Sequence, residues 1–466
     1  VRVRWAAVIA AAVSAAACAR LRPERAPDVR VSHGVAVGET SDTRAVVWAR
    51  CEGPAILEVH VDGQAPTRDA VGPERDLTRR VPIDGLAAGT EHGYRVRCGG
   101  GPVESGRFRT APHPSDAAAV RFVFGGDVGG QNVCRDAARG YPIFATIRAR
   151  APDFFVALGD MVYADGACRA DGALGNAQVA GPPPASDVES FRAHWRYNRA
   201  DAETQRLLAS TTYYAVWDDH EVRDDFGPRD DGGLLAAGEA AFRDWAPIAE
   251  AAPLHRQFRW GRHVELFLLD TRGHREINAA PDTGDEPKSL LGTEQRAWLE
   301  AGLAASTATW KFVVSSVPMS IPTGRDARDG WADAGGASGF ERELVAILRA
   351  AARDRVRGLV WLTTDVHFAT GLRYRPFADT ADFVVHEFAS GPLAAGLFPK
   401  QALDPTLRPV RLFLFGPRAE DQPKTLDAAL GWFNFGLVEV GADGGLSVSI
   451  VDANGRTRHR VTLAPR

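Results

Sequence analysis

A chain of 466 residues is too long for one ordinary hydrophobic core, so two domains are expected. With 45% hydrophobic and 24% charged residues the composition is that of a soluble globular protein, and disordered or fibrous classes are excluded. A formal net charge of -4 gives no electrostatic footing for specific nucleic-acid recognition or for an anionic membrane surface.

In chain order, Arg2 and Arg4 precede a short apolar run from Trp5 to Ala17, closed by small residues and Cys18. This is the charged, apolar and small-residue pattern of an export signal, and residues 1–18 are read as one. Ser14-Ala15-Ala16-Ala17-Cys18 is similar to a lipoprotein cleavage box, which makes Cys18 the candidate lipid anchor. No Arg-Arg pair supports a twin-arginine route. No later segment carries the roughly 18 apolar residues of a membrane span. The remaining cysteines, Cys51, Cys98, Cys134 and Cys168, allow three pairings. Chain organisation favours Cys51–Cys98 and Cys134–Cys168, and such bridges persist in an oxidising compartment outside the cytoplasm.

Residues 27–112 read as short strands parted by turn residues. Ala45 to Arg50, Ile56 to Val61 and Tyr94 to Cys98 are examples, and they suggest a small all-β sandwich. Ala111 to Asp116 is a turn-rich linker. From 117 to 466 strong apolar runs alternate with helical stretches. The strands are predicted at Val120–Phe124, Phe154–Leu158, Tyr213–Trp217, Val264–Leu269, Trp310–Val314 and Leu359–Leu362; helices are predicted at Tyr141–Arg150, Glu294–Ala304 and Glu341–Ala352. Unbroken apolar strands between helices imply an α/β layered core. Ala164 to Asp187 is a Gly-, Ala- and Pro-rich loop insertion.

The polar residues fall where these strands end. Gly125-Gly126-Asp127 follows the first, Gly159-Asp160-Met161-Val162-Tyr163 the second, Asp218-Asp219-His220-Glu221 the third, and Thr364-Asp365-Val366-His367 the last. In layered α/β folds the carboxyl ends of strands gather at one edge, where ligands bind. Several acids converging there repel one another unless cations neutralise them. Singly each motif is an ordinary turn or a core histidine; the ordered set implies a metal cluster.

This series resembles the calcineurin-like metallophosphoesterase superfamily, and within it the alkaline phosphatase D (PhoD-like) family. Further matches are Leu291 to Leu299, Trp310 to Val314 and Glu387 to Pro392. The resemblance implies a layered metallophosphoesterase β-sandwich core flanked by helices, with an N-terminal all-β Ig/fibronectin-like domain. It implies that Asp160 bridges the metals, with Asp127, Tyr163 and His367 completing an Fe(3+) site. Asp219 and Asp365 would hold Ca(2+), or Mg, Mn or Zn in its place; an oxygen-rich set favours the first three. The sequence departs from the family in two places. Gly125 stands where a cysteine iron ligand is frequent, so the iron site would lack its thiolate or recruit another group. Cys134 is preferred as the partner of Cys168 rather than as a substitute. In addition, no histidine follows Val313-Val314-Ser315-Ser316.

The expected reaction is hydrolysis of a phosphomonoester or phosphodiester by metal-activated water, on a phosphate-ester small molecule or a phosphorylated polymer. His220 is expected to stabilise the transition state or protonate the leaving group, and Glu221 to orient it. Arg223 and Asn434 are the candidate phosphate contacts. Trp331 is a candidate for stacking on substrate or covering the site. The chain is expected to act as a monomer. The alternatives are a purple-acid-phosphatase-like iron enzyme and a non-catalytic surface-binding protein with a relic site.

Overall fold

The computed structural model describes residues 28–229, 232–283, 287–334 and 336–465. The segment read as an export signal, with Cys18, lies outside the described residues. The N-terminal module contributes β1 (Val31–Gly38), β2 (Arg44–Cys51), β3 (Ala55–Val61), β4 (Thr67–Val71), β5 (Thr78–Asp84), β6 (Glu91–Cys98) and β7 (Val103–Arg109). Then follow β8 (Val120–Gly125), α1 (Pro142–Arg148), β9 (Phe154–Ala157), α2 (Val188–Arg199), α3 (Ala202–Leu208), β10 (Thr212–Ala215), α4 (Leu235–Trp245), β11 (Arg256–Trp260) and β12 (Val264–Leu268). The chain continues through α5 (Gly292–Ala305), β13 (Trp310–Val314), α6 (Glu341–Arg353), β14 (Leu359–Thr363), β15 (Ala369–Tyr374), β16 (Val385–Ala389), β17 (Val410–Phe415), α7 (Leu426–Ala429), β18 (Asn434–Val440), β19 (Leu446–Asp452) and β20 (Thr457–Leu463). Among the described residues no helix is long and apolar enough to cross a membrane.

Two large sheets form the sandwich. One has the order β20-β19-β18-β8-β9-β10-β1-β2-β5, and the other β11-β12-β13-β14-β16-β15-β17. Phe122, Phe124, Phe154 and Val156 of the first meet Leu266, Phe312, Val314 and Leu362 of the second in one buried core. The alternate residues of the same strands are buried too. Phe155 and Tyr213 pack under the helices bearing Phe144, Trp195 and Phe242, while Phe267, Val313 and Trp361 pack under those bearing Leu299, Leu344 and Leu348. A strand covered on both faces must be apolar at every position, which is why these runs show no alternation.

Strands β8, β9 and β10 are mutually parallel, as are β12, β13 and β14. Each trio delivers its following loops to one edge. That single topological fact assembles the polar residues.

The N-terminal strands do not stand apart. Only β4-β3-β6-β7 form a separate sheet, whereas β1 pairs parallel with β10 and carries β2 and β5 into the nine-stranded sheet. At the seam, Asp76 accepts hydrogen bonds from Arg50, Arg196 and the Trp245 indole. Both expected disulfides form, Cys51–Cys98 and Cys134–Cys168, each with 5.9 Å between Cα atoms. Cys51 ends β2 and Cys98 ends β6, so the first bond ties the two sheets of the module together.

Because that bond closes a separation of 47 residues, its loss should cost roughly 2–4 kcal/mol, mainly by loosening the unfolded chain. The Cys51→Ser, Cys98→Ser double variant should therefore unfold several degrees below the parent in a thermal melt. Equal melting temperatures under oxidising conditions would contradict this account.

Candidate metal centre and its cleft

The loops after the parallel strands enter conformations that side chains disfavour. Asp127, Asp160, Asp365 and His367 all have positive φ, at 65°, 53°, 73° and 56°. Such residues persist only where surrounding contacts hold them, and they gather at functional sites. Asp127, Asp160 and His367 are buried, and their ligand atoms lie within 4.8 Å of one another. Asp160 is shared with a second group, Asp160, Asp219 and His220, and Asp219 with a third that adds Asp224 and Asp225. Asp365 falls outside these tight groups but lines the same cleft, of about 210 Å³, with Asp219, His220, His367, Gln131, Phe398 and Gln401 among its walls.

His367 is held for donation of a lone pair. Its Nδ1–H donates to the Gly396 carbonyl, its ring stacks on Phe398 at 4.2 Å, and Nε2 faces the Tyr163 hydroxyl at 2.9 Å and Asp127 Oδ1 at 3.8 Å. Burial lowers its pKa to about 4, so the ring is neutral. Burial, reinforced by the neighbouring acids, pushes Tyr163, Asp160 and Asp365 well above their usual values, and Asp127 up to about 8. Asp127 Oδ1, Asp218 Oδ2 and Asp365 Oδ2 are buried without a hydrogen-bond partner. Acids so placed stay neutral or meet cations, and unpartnered oxygens are the donors that cations would take up. Carboxylates, a phenol and an imidazole form a hard to intermediate donor set, so the residues fit Fe(3+) and hard divalent ions.

His220 has a different setting. Its Nδ1–H donates to Asp165, with the two carboxylate oxygens at 2.8 and 3.0 Å, and its ring stacks on Tyr163 at 4.1 Å. Nε2 is left on the cleft side, 3.7 Å from Asp224 Oδ1. Burial depresses its basicity, but Asp219, Asp165 and Asp224 outweigh this and raise its pKa to about 10.

Several expectations need correction. Glu221 does not orient His220; its carboxylate accepts the backbone N–H groups of Asp160, Met161 and Asp218, at 2.8 to 3.0 Å. It joins the loop after β9 to the loop after β10, and Asp165 takes the role expected of it. Asn434 is buried with both donors and its oxygen engaged by Gly391 and Trp432, so no group remains for phosphate. Its work is to brace Gly391, where a Cβ would come within 2.3 Å of Asp127 Oδ2. Arg223 is exposed and is not among the residues lining the cleft. Trp331 is fully buried, donating to Ser315 Oγ and crossing Trp361, so it neither stacks on substrate nor covers the cleft. Cys134 is, as expected, bonded to Cys168 and offers no thiolate. A Cβ on Gly125 would stand 2.9 Å from Leu393 Cδ2, so an apolar side chain occupies the side where a cysteine would project.

Besides Asp165, a residue missed altogether is Arg272. It has no exposed surface and donates to Asp218 from Nε at 2.6 Å and to Asp329 from both terminal nitrogens at 2.6 and 2.7 Å; Asp219 Oδ1 lies 3.6 Å away. Burial opposes its charge, but these acids win and hold the guanidinium protonated. The signal was present: Asp270-Thr271-Arg272 follows β12 as the other polar groups follow their strands.

Comparison with known proteins agrees with this architecture. The model of the PhoD-like phosphatase family matches residues 122–440, and that of the PhoD-like phosphatase N-terminal domain matches residues 15–112. Alkaline phosphatase D of Bacillus subtilis (strain 168) is 24% identical over 384 residues, covering 72% of this chain and 64% of that protein. The chain thus spans a little under two thirds of that relative. The solved structure of PhoD superposes with a TM-score of 0.73 at 19% identity, over 93% of both chains. A purple acid phosphatase from yellow lupin (Lupinus luteus) seeds follows with a TM-score of 0.61 at 14% identity, over 93% of this chain and 74% of that one. These likenesses show a shared fold, and with a family model spanning well over half of the sequence, the chain belongs to the PhoD-like phosphatase family.

Proposed function

We propose that this protein is an exported, metal-dependent phosphoesterase acting on phosphomonoesters or phosphodiesters. The observation that carries the reading is the position of Asp160, one carboxylate within ligand reach of two adjoining groups. Asp127, Asp160, Tyr163 and His367 would hold Fe(3+), while Asp160, Asp219 and Asp365 would hold Ca(2+) or another hard divalent ion. Such ions, when bound, neutralise the ester's oxygens and make water nucleophilic at neutral pH. The chain's own part is orientation and proton supply. Asp165 fixes the orientation of the His220 ring and leaves Nε2–H to face a leaving oxygen in the cleft. Arg272 holds Asp218 and approaches Asp219, so the loop after β10 keeps one conformation. Gln131, Phe398 and Gln401 would border the substrate's organic portion. Two disulfides support an oxidising location outside the cytoplasm.

Removing the shared carboxylate tests the centre. Asp160→Asn should lose bound metal, read by elemental analysis, together with phosphatase activity; normal turnover would end the assignment. Iron with calcium in the parent supports the reading, whereas iron with zinc or manganese would redirect it towards purple-acid-like chemistry.

Asp165→Asn keeps the shape but removes the charge that orients His220. It should lower kcat by roughly 10- to 100-fold, with KM and metal content little changed. The loss should be smallest for substrates with acidic leaving groups, such as nitrophenyl esters, since these need least protonation. An equal loss for all leaving groups would refute proton supply by His220.

A further inference from the structure

The two disulfides sit in unlike surroundings. Cys51 and Cys98 have no exposed surface and belong to the core of the N-terminal module. Cys134 is 6% exposed, while Cys168 is only half-buried and lies in the insertion that begins at Ala164. Exchange with an outside thiol depends on access, so Cys134–Cys168 is the more open of the two bonds.

That bond also stands beside the reacting groups. On one side it closes the turn that follows Asp127. Cys134 Sγ lies 3.3 Å from the Gly129 carbonyl, and a Cβ on Gly130 would fall 2.4 Å from Tyr163 Cζ. On the other side, Cys168 belongs to the segment that runs on from Tyr163 through Asp165. The Ala164 N–H donates to the His220 carbonyl at 2.8 Å, and Asp165 accepts from His220 Nδ1 and from the Asp224 N–H. From 164 to 187 the insertion forms no helix or strand of its own. Its few fastenings include Asn132 Oδ1, which accepts from the Arg169 N–H at 2.8 Å, and the single covalent tie is Cys134–Cys168. A segment with so little regular structure depends on such ties to keep a carboxylate in one place.

We infer that Cys134–Cys168 is a redox switch on turnover, acting through Asp165. Closed, the bond holds Asp165 against His220. An external dithiol would open it: one thiolate attacks Cys168 Sγ, Cys134 Sγ leaves as a thiolate, and the second thiol resolves the mixed disulfide. The dithiol is oxidised to its own disulfide, and Cys134 and Cys168 are left as thiols. Asp165 then has more than one position, and the His220 ring loses its fixed orientation. The protein gains full turnover only where disulfides form, so the chain stays restrained in a reducing compartment. The inference takes from the proposed function only that turnover occurs in this cleft.

Two preparations test it. Parent protein treated with limiting dithiothreitol, desalted and alkylated should carry label at Cys134 and Cys168, with Cys51 and Cys98 still bonded. Its kcat should fall roughly tenfold, with metal content unchanged by elemental analysis, and should recover on reoxidation. The Cys134→Ser, Cys168→Ser double variant should show the same fall without any reductant; should it not fold, the reduced parent decides. Adding Asp165→Asn to the open form should lower kcat little further, because both changes act through one contact. Full activity in the open form, or losses that multiply when Asp165→Asn is added, would overturn the inference. Metal lost in step with activity would overturn it too, since the bond would then act on the Asp127 turn. A uniform loss across leaving groups with Asp165→Asn removes proton supply by His220, and the additivity measurement still decides the role of the bond.

Discussion

Negative charge crowded into a dry place governs this molecule. Asp127, Asp160, Asp218, Asp219 and Asp365 arrive from four strands of the two sheets at one edge of the sandwich, all but Asp365 nearly or wholly buried. Two ionised carboxylates a few ångströms apart in such surroundings repel each other by several kcal/mol even at an effective dielectric near 20. The fold answers with a fixed cation on one side, Arg272, which neutralises Asp218 and is itself anchored by Asp329. On the other side the imidazolium of His220 is turned to Asp165, and the oxygens of Asp127 and Asp365 are left unpartnered. The division is physically sensible: a guanidinium serves where charge must only be balanced, and an exchangeable cation serves where the same site must also meet substrate.

Around that centre, much of the polar machinery holds backbone. Glu221 spends its carboxylate on three amides and Asn434 spends its amide on Gly391 and Trp432. These contacts allow aspartates to sit at positive φ, a conformation costing of order 1–3 kcal/mol each. Rigid turns matter because a ligand displaced by 1 Å misplaces everything it orients. Asp165 extends the same logic to a ring, and it does so from an insertion tied down by Cys134–Cys168.

The α/β core and the ligand set were largely legible because they depend on local pattern. An unbroken apolar run followed by Gly-Asp or Asp-His needs no tertiary knowledge to be seen, and β8, β9, β10, β12, β13 and β14 fall on the expected segments. Partnerships between distant residues were not legible. Asp165 lies in a stretch whose composition says only loop, and Glu221 looks like any acid beside a histidine until its three amide partners are known. Arg272 shows that a strand-end rule applied only to acids and histidines overlooks the cation that such acids require. The fate of Gly125 also depends on a remote residue, Leu393, which the chain brings back only after β16.

The β1–β10 pairing alters what the N-terminal module is. In sequence it looks detachable, ending at a turn-rich linker before the layered core begins. In the folded molecule β1 covers the side of β10, joined by backbone bonds and by the Thr40–Thr212 hydroxyl contact, while Tyr214 donates to the Thr40 carbonyl. Cutting the chain at the linker would leave β10 as a raw sheet margin, open to pairing with any stray strand. Evolution therefore cannot shuffle this catalytic body and its β-module as interchangeable parts; a lineage that discards the module must invent another strand to close the wound.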